Sequence, residues 1–442
     1  MPAPRHIAVI GAGWAGCAAA VELADAGHRV TLIESARTLG GRARAVALDG
    51  RSLDNGQHIL LGAYTECLRL MHKTGVDTQQ ALLRLPLQMR YSSAEEGMNF
   101  VVPRLPAPWH VAFGLWRAKG LTKKDKIALL RFTSAARWMD WRLDTDCSVE
   151  TLLHNHEQTE RLVRLMWAPL CIAALNTPPE RASARIFLNV LRDSLGASRS
   201  ASDMLIPRTD LTALLPQAAA NFVAHCGGET LTGIAIRRIT SADGKWRLVS
   251  NTTDALPMFD GVVVATPASQ VNELLAEITQ DTVVPTFDHE PITTCYLQYG
   301  EELKLPAPFL ALLDDPAANS WGQFVFDRGQ LDGSAGLLAV VISASTHAIE
   351  REKEELASLV AAQLARAFAM PELRTPRWTQ VITEKRATFS CTPDLQRPAE
   401  STLWKGLVLA GDYLASDYPA TLESAVRSGV RAAALLDAQL DE

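Results

Sequence analysis

Three glycines near the start of the chain have the spacing of a dinucleotide-binding turn. Gly11, Gly13 and Gly16 follow the apolar run Ile7–Ile10 and open a segment of helical pattern. The first glycine permits a tight turn, the second lets a pyrophosphate approach the backbone, and the third allows a helix to pack closely on a strand. The free N–H groups at the helix start would hold the phosphates. The chemistry predicted here is therefore the binding of a dinucleotide cofactor.

A carboxylate and a second glycine pair extend this motif. Glu34 ends the next apolar run, 18 positions after Gly16, where a carboxylate accepts hydrogen bonds from a ribose diol and disfavours the extra phosphate of NADP. Gly40 and Gly41 then precede Arg42, which predicts another close backbone approach beside a positive charge. A dinucleotide with a ribityl–phosphate arm would use it, so the pair favours FAD over NAD.

The glycine–arginine motif and two C-terminal segments give the chain a family resemblance. Val408–Asp412 is an apolar run ending in Gly-Asp, and Thr421–Ala425 opens the last helical pattern. With these segments the whole chain resembles the flavin amine oxidase and carotenoid desaturase superfamily. The resemblance implies FAD, with Arg42 near the pyrophosphate and Ile236 against the adenine. The predicted cofactor contacts are Gly11, Gly13, Ala15, Gly16, Glu34, Ser35, Gly41, Arg42, Gly56, Gln57, His58, Ile236, Gly411, Asp412, Thr421 and Leu422.

One segment points to a particular branch of that superfamily. Leu53–Tyr64 begins Leu-Asp-Asn-Gly-Gln-His and occupies the place where these proteins pass beside the isoalloxazine ring. With Ala168–Asn176 and Asp417–Ala425, it resembles the bacterial hydroxysqualene dehydroxylases. That resemblance implies loss of an allylic hydroxyl as water and hydride delivery from reduced FAD, giving squalene for squalene and hopanoid biosynthesis. It implies a long apolar isoprenoid substrate and an electron donor, NADPH or a reductase, because no second dinucleotide fingerprint is evident.

The proton donor for the leaving hydroxyl is left open by the sequence. His58, Asp417 and Tyr418 are the candidate catalytic residues. His58 could act as an acid near neutral pH, or could be a structural histidine beside the cofactor. Asp417 could equally be a solvated loop carboxylate, and Tyr418 a packed aromatic residue.

Other functions of the same fold also stay open. A carotenoid or isoprenoid desaturase would run the same hydride transfer in the opposite direction. An amine oxidase is disfavoured, because Thr421 stands where those enzymes place an aromatic residue two positions before the flavin-facing glutamate. A prenyl-binding protein without redox chemistry is disfavoured by the complete flavin set, from Gly11 through Arg42 to Asp412.

The elements that must position these residues predict an α/β fold. A Rossmann-type FAD-binding domain (1–85, 205–270 and 390–442) is interleaved with an α+β substrate domain (86–204 and 271–389), as in amine oxidases and phytoene desaturases. The opening is a βαβ unit, which predicts a parallel sheet. Further predicted strands are Gly233–Ile239, Trp246–Ser250, Gly261–Ala265, Thr293–Tyr299, Gly336–Ser343 and Leu407–Ala410, and further helices are Lys123–Arg142, Thr159–Leu175, Arg351–Met370 and Thr421–Gln439.

Composition excludes several functional classes. The chain of 442 residues has a formal net charge of -6, which argues against a nucleic-acid binder. Its seven cysteines form no Cys-x-x-Cys pair, so no metal site or disulfide framework is predicted. No apolar run is long enough to span a membrane. We expect a cytoplasmic protein, either soluble or on the inner face of the cytoplasmic membrane. Trp109–Leu143 mixes aromatic and basic residues, which suits either peripheral membrane contact or an ordinary amphipathic helix.

Overall fold

The structure is a computed structural model that describes residues 4–92, 97–106, 109–196, 198–252 and 255–441. Its strands are β1 (His6–Ile10), β2 (Arg29–Glu34), β3 (Ala45–Leu48), β4 (Arg51–Asp54), β5 (Leu60–Leu61), β6 (Leu82–Leu85), β7 (Gln88–Arg90), β8 (Asn99–Val101), β9 (Met204–Pro207), β10 (Glu229–Thr232), β11 (Ile236–Ala242), β12 (Lys245–Ser250), β13 (Gly261–Val264), β14 (His289–Gln298), β15 (Phe309–Ala311), β16 (Phe324–Asp327), β17 (Leu337–Ile342), β18 (Trp378–Phe389) and β19 (Leu407–Leu409).

The helices surround and connect these strands. They are α1 (Trp14–Asp25), α2 (Thr65–Lys73), α3 (Thr78–Ala81), α4 (Trp109–Arg117), α5 (Lys123–Trp138), α6 (Val149–Asn155), α7 (Glu160–Leu162), α8 (Ala168–Leu175), α9 (Ala184–Leu191), α10 (Leu211–Leu214), α11 (Pro216–His225), α12 (Ala268–Leu274), α13 (Lys353–Phe368) and α14 (Leu422–Asp441). None of the described helices is both long and apolar enough to cross a membrane.

The first layer is a parallel sheet with the order β10-β2-β1-β13-β19. Its strands come from widely separated parts of the chain, and β1 pairs with β2 on one side and β13 on the other. β13 is buried throughout, as expected for a parallel sheet covered on both faces. The α/β fold and its βαβ opening, predicted from the glycine motif, are confirmed. The domain boundaries stay a prediction.

One predicted strand was wrong in its bounds. The sequence pattern predicted a single strand over Gly233–Ile239, whereas Gly233 lies between two strands and has a φ of +74°. The strand before it, β10, is the edge of the parallel sheet, and the strand after it, β11, forms an antiparallel hairpin with β12. A left-handed glycine turns the chain out of the sheet here.

The second layer is an antiparallel sheet with the order β15-β16-β17-β14-β18. Side chains of β17 alternate between its two faces, because successive residues of a strand point to opposite sides. Ala339 and Val341 belong to the larger core cluster, while Leu338 and Val340 pack in a separate cluster with α13. The sheet therefore has one face toward α13 and the other toward the interior of the molecule.

The helical region between β8 and β9 is interrupted by two π-helical turns. The predicted helix Thr159–Leu175 is split by one of them, at Val163–Trp167. The other, Arg192–Gly196, follows α9. Single π-turns often occur at functional sites, and residues of both turns line the cavity described below.

Candidate functional site

A cavity of about 1320 Å³ lies between the carboxyl edge of the parallel sheet and the inner face of the antiparallel sheet. Ligands of open α/β sheets bind at that carboxyl edge. The volume exceeds the roughly 300–1,000 Å³ typical of sites for a single small ligand. The cavity therefore has room for a cofactor and a second molecule.

The glycine turn between β1 and α1 forms one wall of the cavity. Gly11 has a φ of +100°, and a Cβ there would lie 2.6 Å from the carbonyl oxygen of Ala265. Gly13 is the N-cap of α1 and supplies no side-chain cap, so the N–H groups of the first turn have no side-chain acceptor. Gly13 and Ala15 line the cavity, so this end of the helix suits an anionic phosphate.

Gly16 was predicted both to permit close packing and to contact the cofactor. It does not line the cavity. A Cβ at Gly16 would lie 1.9 Å from the carbonyl oxygen of Gly11. The close packing expected from the motif is present, but the structure gives no support for a cofactor contact by this residue.

Glu34 is buried at the end of β2 and lines the cavity. The N–H of Ala12 donates to its Oε2 at 2.8 Å, and the N–H of Ala36 donates to its Oε1 at 2.9 Å. The hydroxyl of Ser35, which also lines the cavity, donates to Oε1 at 3.1 Å. These three bonds fix the carboxylate and leave acceptor capacity for a hydroxyl donor, since a carboxylate has about four lone-pair sites.

The second glycine loop lies directly against the first. The N–H of Gly40 donates to the carbonyl of Ala12 at 2.8 Å. Gly41 has a φ of +61°, and a Cβ there would lie 3.2 Å from the Cα of Gly13. The two glycine segments, separate in the sequence, therefore form one continuous backbone wall.

Arg42 joins this wall to the C-terminal segment. Its Nη2 donates to Oδ1 of Asp412 at 2.6 Å, and its Nη1 donates to the carbonyl of Ala387 at 2.7 Å. Burial opposes the charge, but Asp412 raises the pKa of the guanidinium overall. Arg42, Gly411 and Asp412 all line the cavity, so the structure brings the second glycine loop and the C-terminal Gly-Asp segment together.

Two buried hydroxyls in the cavity wall have no partner. Thr266 Oγ1 and the phenolic oxygen of Tyr413 make no hydrogen bond, and both residues line the cavity. An unsatisfied buried polar group costs about 1–3 kcal/mol, which a polar group of a bound cofactor would relieve. Neither was predicted as a site residue. Thr266 follows β13 and Tyr413 follows β19, both at the carboxyl edge of the parallel sheet. Their positions just after these two strands are the signal that could have identified them.

The loop 55–58 is held by a buried polar network. Gln57 Nε2 donates to the phenolic oxygen of Tyr296 at 3.0 Å, and Tyr296 donates to the carbonyl of Asp54 at 2.8 Å. Arg328 Nη1 donates to Gln57 Oε1 at 2.9 Å and lies 3.3 Å from Asp54 Oδ2. Burial raises the pKa of Asp54 to about 6, although Arg328 lowers it. Tyr296 and Arg328 were missed because no local pattern links them to the loop.

Gly56, Gln57 and His58 of this loop line the cavity. His58 Nδ1 lies 2.9 Å from the carbonyl oxygen of Gly56. Burial and, to a smaller extent, the nearby Arg42 lower the pKa of His58 overall, although the hydrogen bond with Gly56 opposes them. The imidazole is therefore neutral near pH 7, and the structure argues against its predicted use as an acid at that pH.

The other two candidate acids are separated by the structure. Tyr418 lines the cavity, whereas Asp417 is exposed and does not. Tyr418 donates its hydroxyl hydrogen bond to Asp193, a cavity residue of the second π-turn that sequence reasoning missed. Burial raises the pKa of Asp193, but hydrogen bonds from Arg192 and Tyr418 lower it overall. The carboxylate that lies beside Tyr418 in the cavity wall is therefore that of Asp193, not that of Asp417.

The part of the cavity between the helical region and the antiparallel sheet is apolar. The rings of Phe309 and Phe324 stack there with centroids 5.4 Å apart. The apolar residues that line the cavity include Met89, Phe100, Val111, Met166, Leu170, Ile292, Phe309, Phe324, Phe326 and Val341. Such a lining suits a long hydrocarbon chain. Thr421, Leu422 and Ile236, which were predicted to contact the cofactor, line other parts of the cavity.

Comparison with known proteins agrees with this architecture. The family described as flavin containing amine oxidoreductase matches residues 14–436. A protein of Rhodopseudomonas palustris named hydroxysqualene dehydroxylase is 29% identical, covering 98% of both chains. One of Zymomonas mobilis with the same name is 28% identical, covering 97% of this chain and 98% of the relative. The solved structure of cyclohexylamine oxidase from Brevibacterium oxydans shares the fold, with a TM-score of 0.69, 16% identity and full coverage of both chains.

Proposed function

Because the chain belongs to the flavin-containing amine oxidoreductases, and is thus a flavin-dependent oxidoreductase, we propose that it uses FAD to convert hydroxysqualene to squalene. The observation that carries the proposal is the end-to-end similarity to proteins named hydroxysqualene dehydroxylase. The apolar part of the cavity supports it, because a C30 hydrocarbon needs an extended apolar site.

The chain's own residues suit FAD. The uncapped N-terminus of α1 and the Gly13–Gly41 contact offer backbone to a pyrophosphate. Glu34 offers acceptor oxygens to a ribose diol. Thr266 and Tyr413 offer unpaired hydroxyls. Reduced flavin, when bound, supplies the hydride that a reductive dehydroxylation consumes.

Tyr418 and Asp193 are the proposed proton relay for the leaving hydroxyl. The C–O bond of the substrate breaks as the phenol of Tyr418 gives its proton to the departing oxygen, which leaves as water. Asp193, whose side chain is 28% exposed, returns a proton from solvent to the phenolate. Burial and, after it, the hydrogen bond to Asp193 raise the pKa of Tyr418, so the phenol is protonated before the reaction.

The apolar cavity wall has two further tasks. It orients the hydrocarbon, and it keeps water away from the allylic cation that forms when the hydroxyl departs. The reductant that restores the flavin is proposed to be NADPH or a reductase protein that binds transiently.

An anaerobic single-turnover experiment tests the proposal. The purified flavoprotein is reduced, hydroxysqualene in detergent is added, and flavin absorbance and squalene mass are followed together. We expect one squalene per flavin reoxidised, and no reoxidation when squalene replaces hydroxysqualene. A flavin that stays reduced without squalene formation would overturn the proposal. Oxidised enzyme that instead dehydrogenates an isoprenoid would favour a desaturase.

A further inference from the structure

Exposed apolar side chains are concentrated on two consecutive helices. Seven of the nine large apolar side chains that are exposed in the described chain lie between residues 101 and 138. Trp109, Phe113 and Trp116 share one side of α4, and Ile127, Leu130 and Trp138 share one side of α5, by their three- and four-residue spacings. Trp109, Trp116 and Trp138 are 68%, 69% and 89% exposed. These six residues define the α4–α5 surface.

The two helices are fixed to each other. Thr122 and Asp125 form a capping box at the start of α5, which stabilises that end of the helix. Lys126 Nζ donates to the carbonyl of Trp116 at the end of α4, at 2.7 Å. The aromatic residues of α4 also line a shallow apolar groove of about 470 Å³. An exposed apolar patch of this kind marks an interaction site.

Charge indicates what covers this surface. Residues 104–137 contain eight Lys or Arg side chains and one acidic side chain, a formal excess of seven positive charges on a chain of net charge -6. The single acid, Asp125, is buried in the capping box. Exposed tryptophans flanked by lysine and arginine match the interface of an anionic bilayer, which takes the rings among its headgroups and attracts the cations.

The opposite side of α4 faces the cavity. Val111 lines it, and a Cβ at Gly114 would lie 3.1 Å from a ring carbon of Phe100, another lining residue. One helix therefore separates the α4–α5 surface from the cavity. We propose that this surface docks on an anionic phospholipid bilayer and places α4 between the lipid and the cavity. The docking proposal depends only on this surface. Entry of the substrate from the lipid past α4 would follow from docking, but it depends also on the proposed function.

Vesicle flotation of the purified flavoprotein, without substrate, tests docking. Vesicles of phosphatidylcholine are compared with vesicles containing phosphatidylglycerol, at low and high salt. We expect flotation with the anionic vesicles and its loss at high salt, because screening weakens the attraction. Equal binding to both vesicles, or binding to neither, would overturn the proposal. So would a stable dimer that Trp116→Ser dissociates, since a second chain would then cover the surface.

Two variants locate the contact. Lys123→Glu/Lys124→Glu should weaken partitioning by at least about 25-fold, from roughly fivefold per basic side chain removed. Trp109→Ser/Trp116→Ser should weaken it by a similar factor. Leu403→Ser/Lys405→Glu changes an exposed leucine and lysine outside the surface and should bind as the unaltered protein does. The proposal would be refuted if the lysine and tryptophan variants floated as well as this control. In detergent, the lysine variant should form squalene at the rate of the unaltered protein. This assay therefore separates a failure of docking from a failure of the proposed reaction.

Discussion

Replacing Arg328 by methionine should destabilise the protein in a pH-dependent way. The Arg328 side chain is 6% exposed and lies 3.3 Å from Oδ2 of Asp54, whose side chain is 3% exposed. It also bonds to Gln57 and Asp332. Methionine fills similar space but leaves the Asp54 carboxylate buried without its cation. The substitution therefore removes the charge that compensates a buried anion, close to a loop that lines the cavity.

The expected loss is about 3–4 kcal/mol at pH 8, within the usual cost of breaking a buried ion pair by removing one partner. Burial holds the pKa of Asp54 at about 6 with Arg328 present, above the unfolded value of about 3.9. A raised carboxyl pKa makes the free energy of unfolding fall as pH rises through that window. Without Arg328 the pKa of Asp54 rises further, so the free energy of unfolding continues to fall to higher pH. At pH 5, where Asp54 is protonated, the loss should shrink to about 1 kcal/mol.

Thermal unfolding followed by circular dichroism checks this. At roughly 2 °C per kcal/mol, we expect Tm to fall by about 6–8 °C at pH 8 and about 2 °C at pH 5. Arg351→Met removes a partly exposed pair with Glu355 and should cost less than about 0.5 kcal/mol. Asp54→Asn combined with Arg328→Met should recover most of the loss. An equal loss at both pH values, or one no larger than that of Arg351→Met, would refute the reasoning.

Three further predictions concern the cavity. Gly41→Ala should weaken flavin binding about tenfold, a loss of about 1.4 kcal/mol, because its Cβ meets Gly13 in the backbone wall of the cavity. Gly244→Ala carries the same cost of a left-handed φ in stability but faces open space, so it should bind flavin normally by fluorescence titration. Tyr418→Phe should lower kcat about 10²-fold with flavin affinity unchanged, and an unaltered kcat would exclude it as proton donor. His58→Asn should leave the limbs of the kcat–pH profile in place, because its pKa is lowered and the ring stays neutral; a shifted acid limb would contradict this.

Much of the cofactor half could be predicted because its signals are local. The turn from Gly11 to Gly16 and the carboxylate of Glu34 belong to one βαβ unit, so their spacing alone fixes their arrangement. Arg42 and Asp412 are far apart in the chain, and the family resemblance implied that both meet the cofactor. The structure places them 2.6 Å apart, a contact that the sequence did not specify.

The candidate proton donors were harder to assess from the sequence because their environments are set by distant elements. Asp417 and Tyr418 are neighbours in sequence, yet one is exposed and the other lines the cavity. Asp193 belongs to a π-turn that helical periodicity does not reveal. The lowered pKa of His58 depends on burial, which no residue type encodes by itself.

The sequence by itself determined the parallel sheet, the glycine turns and the family, since each depends on residues close together in the chain or on a pattern spread along it. The tertiary structure alone decided that Gly233 separates two strands of different sheets. It also decided that Arg328 holds the loop before His58, and that Asp193 faces Tyr418. These contacts join residues more than 200 positions apart, and only the packing of both sheets and the helical region brings such residues within hydrogen-bonding distance.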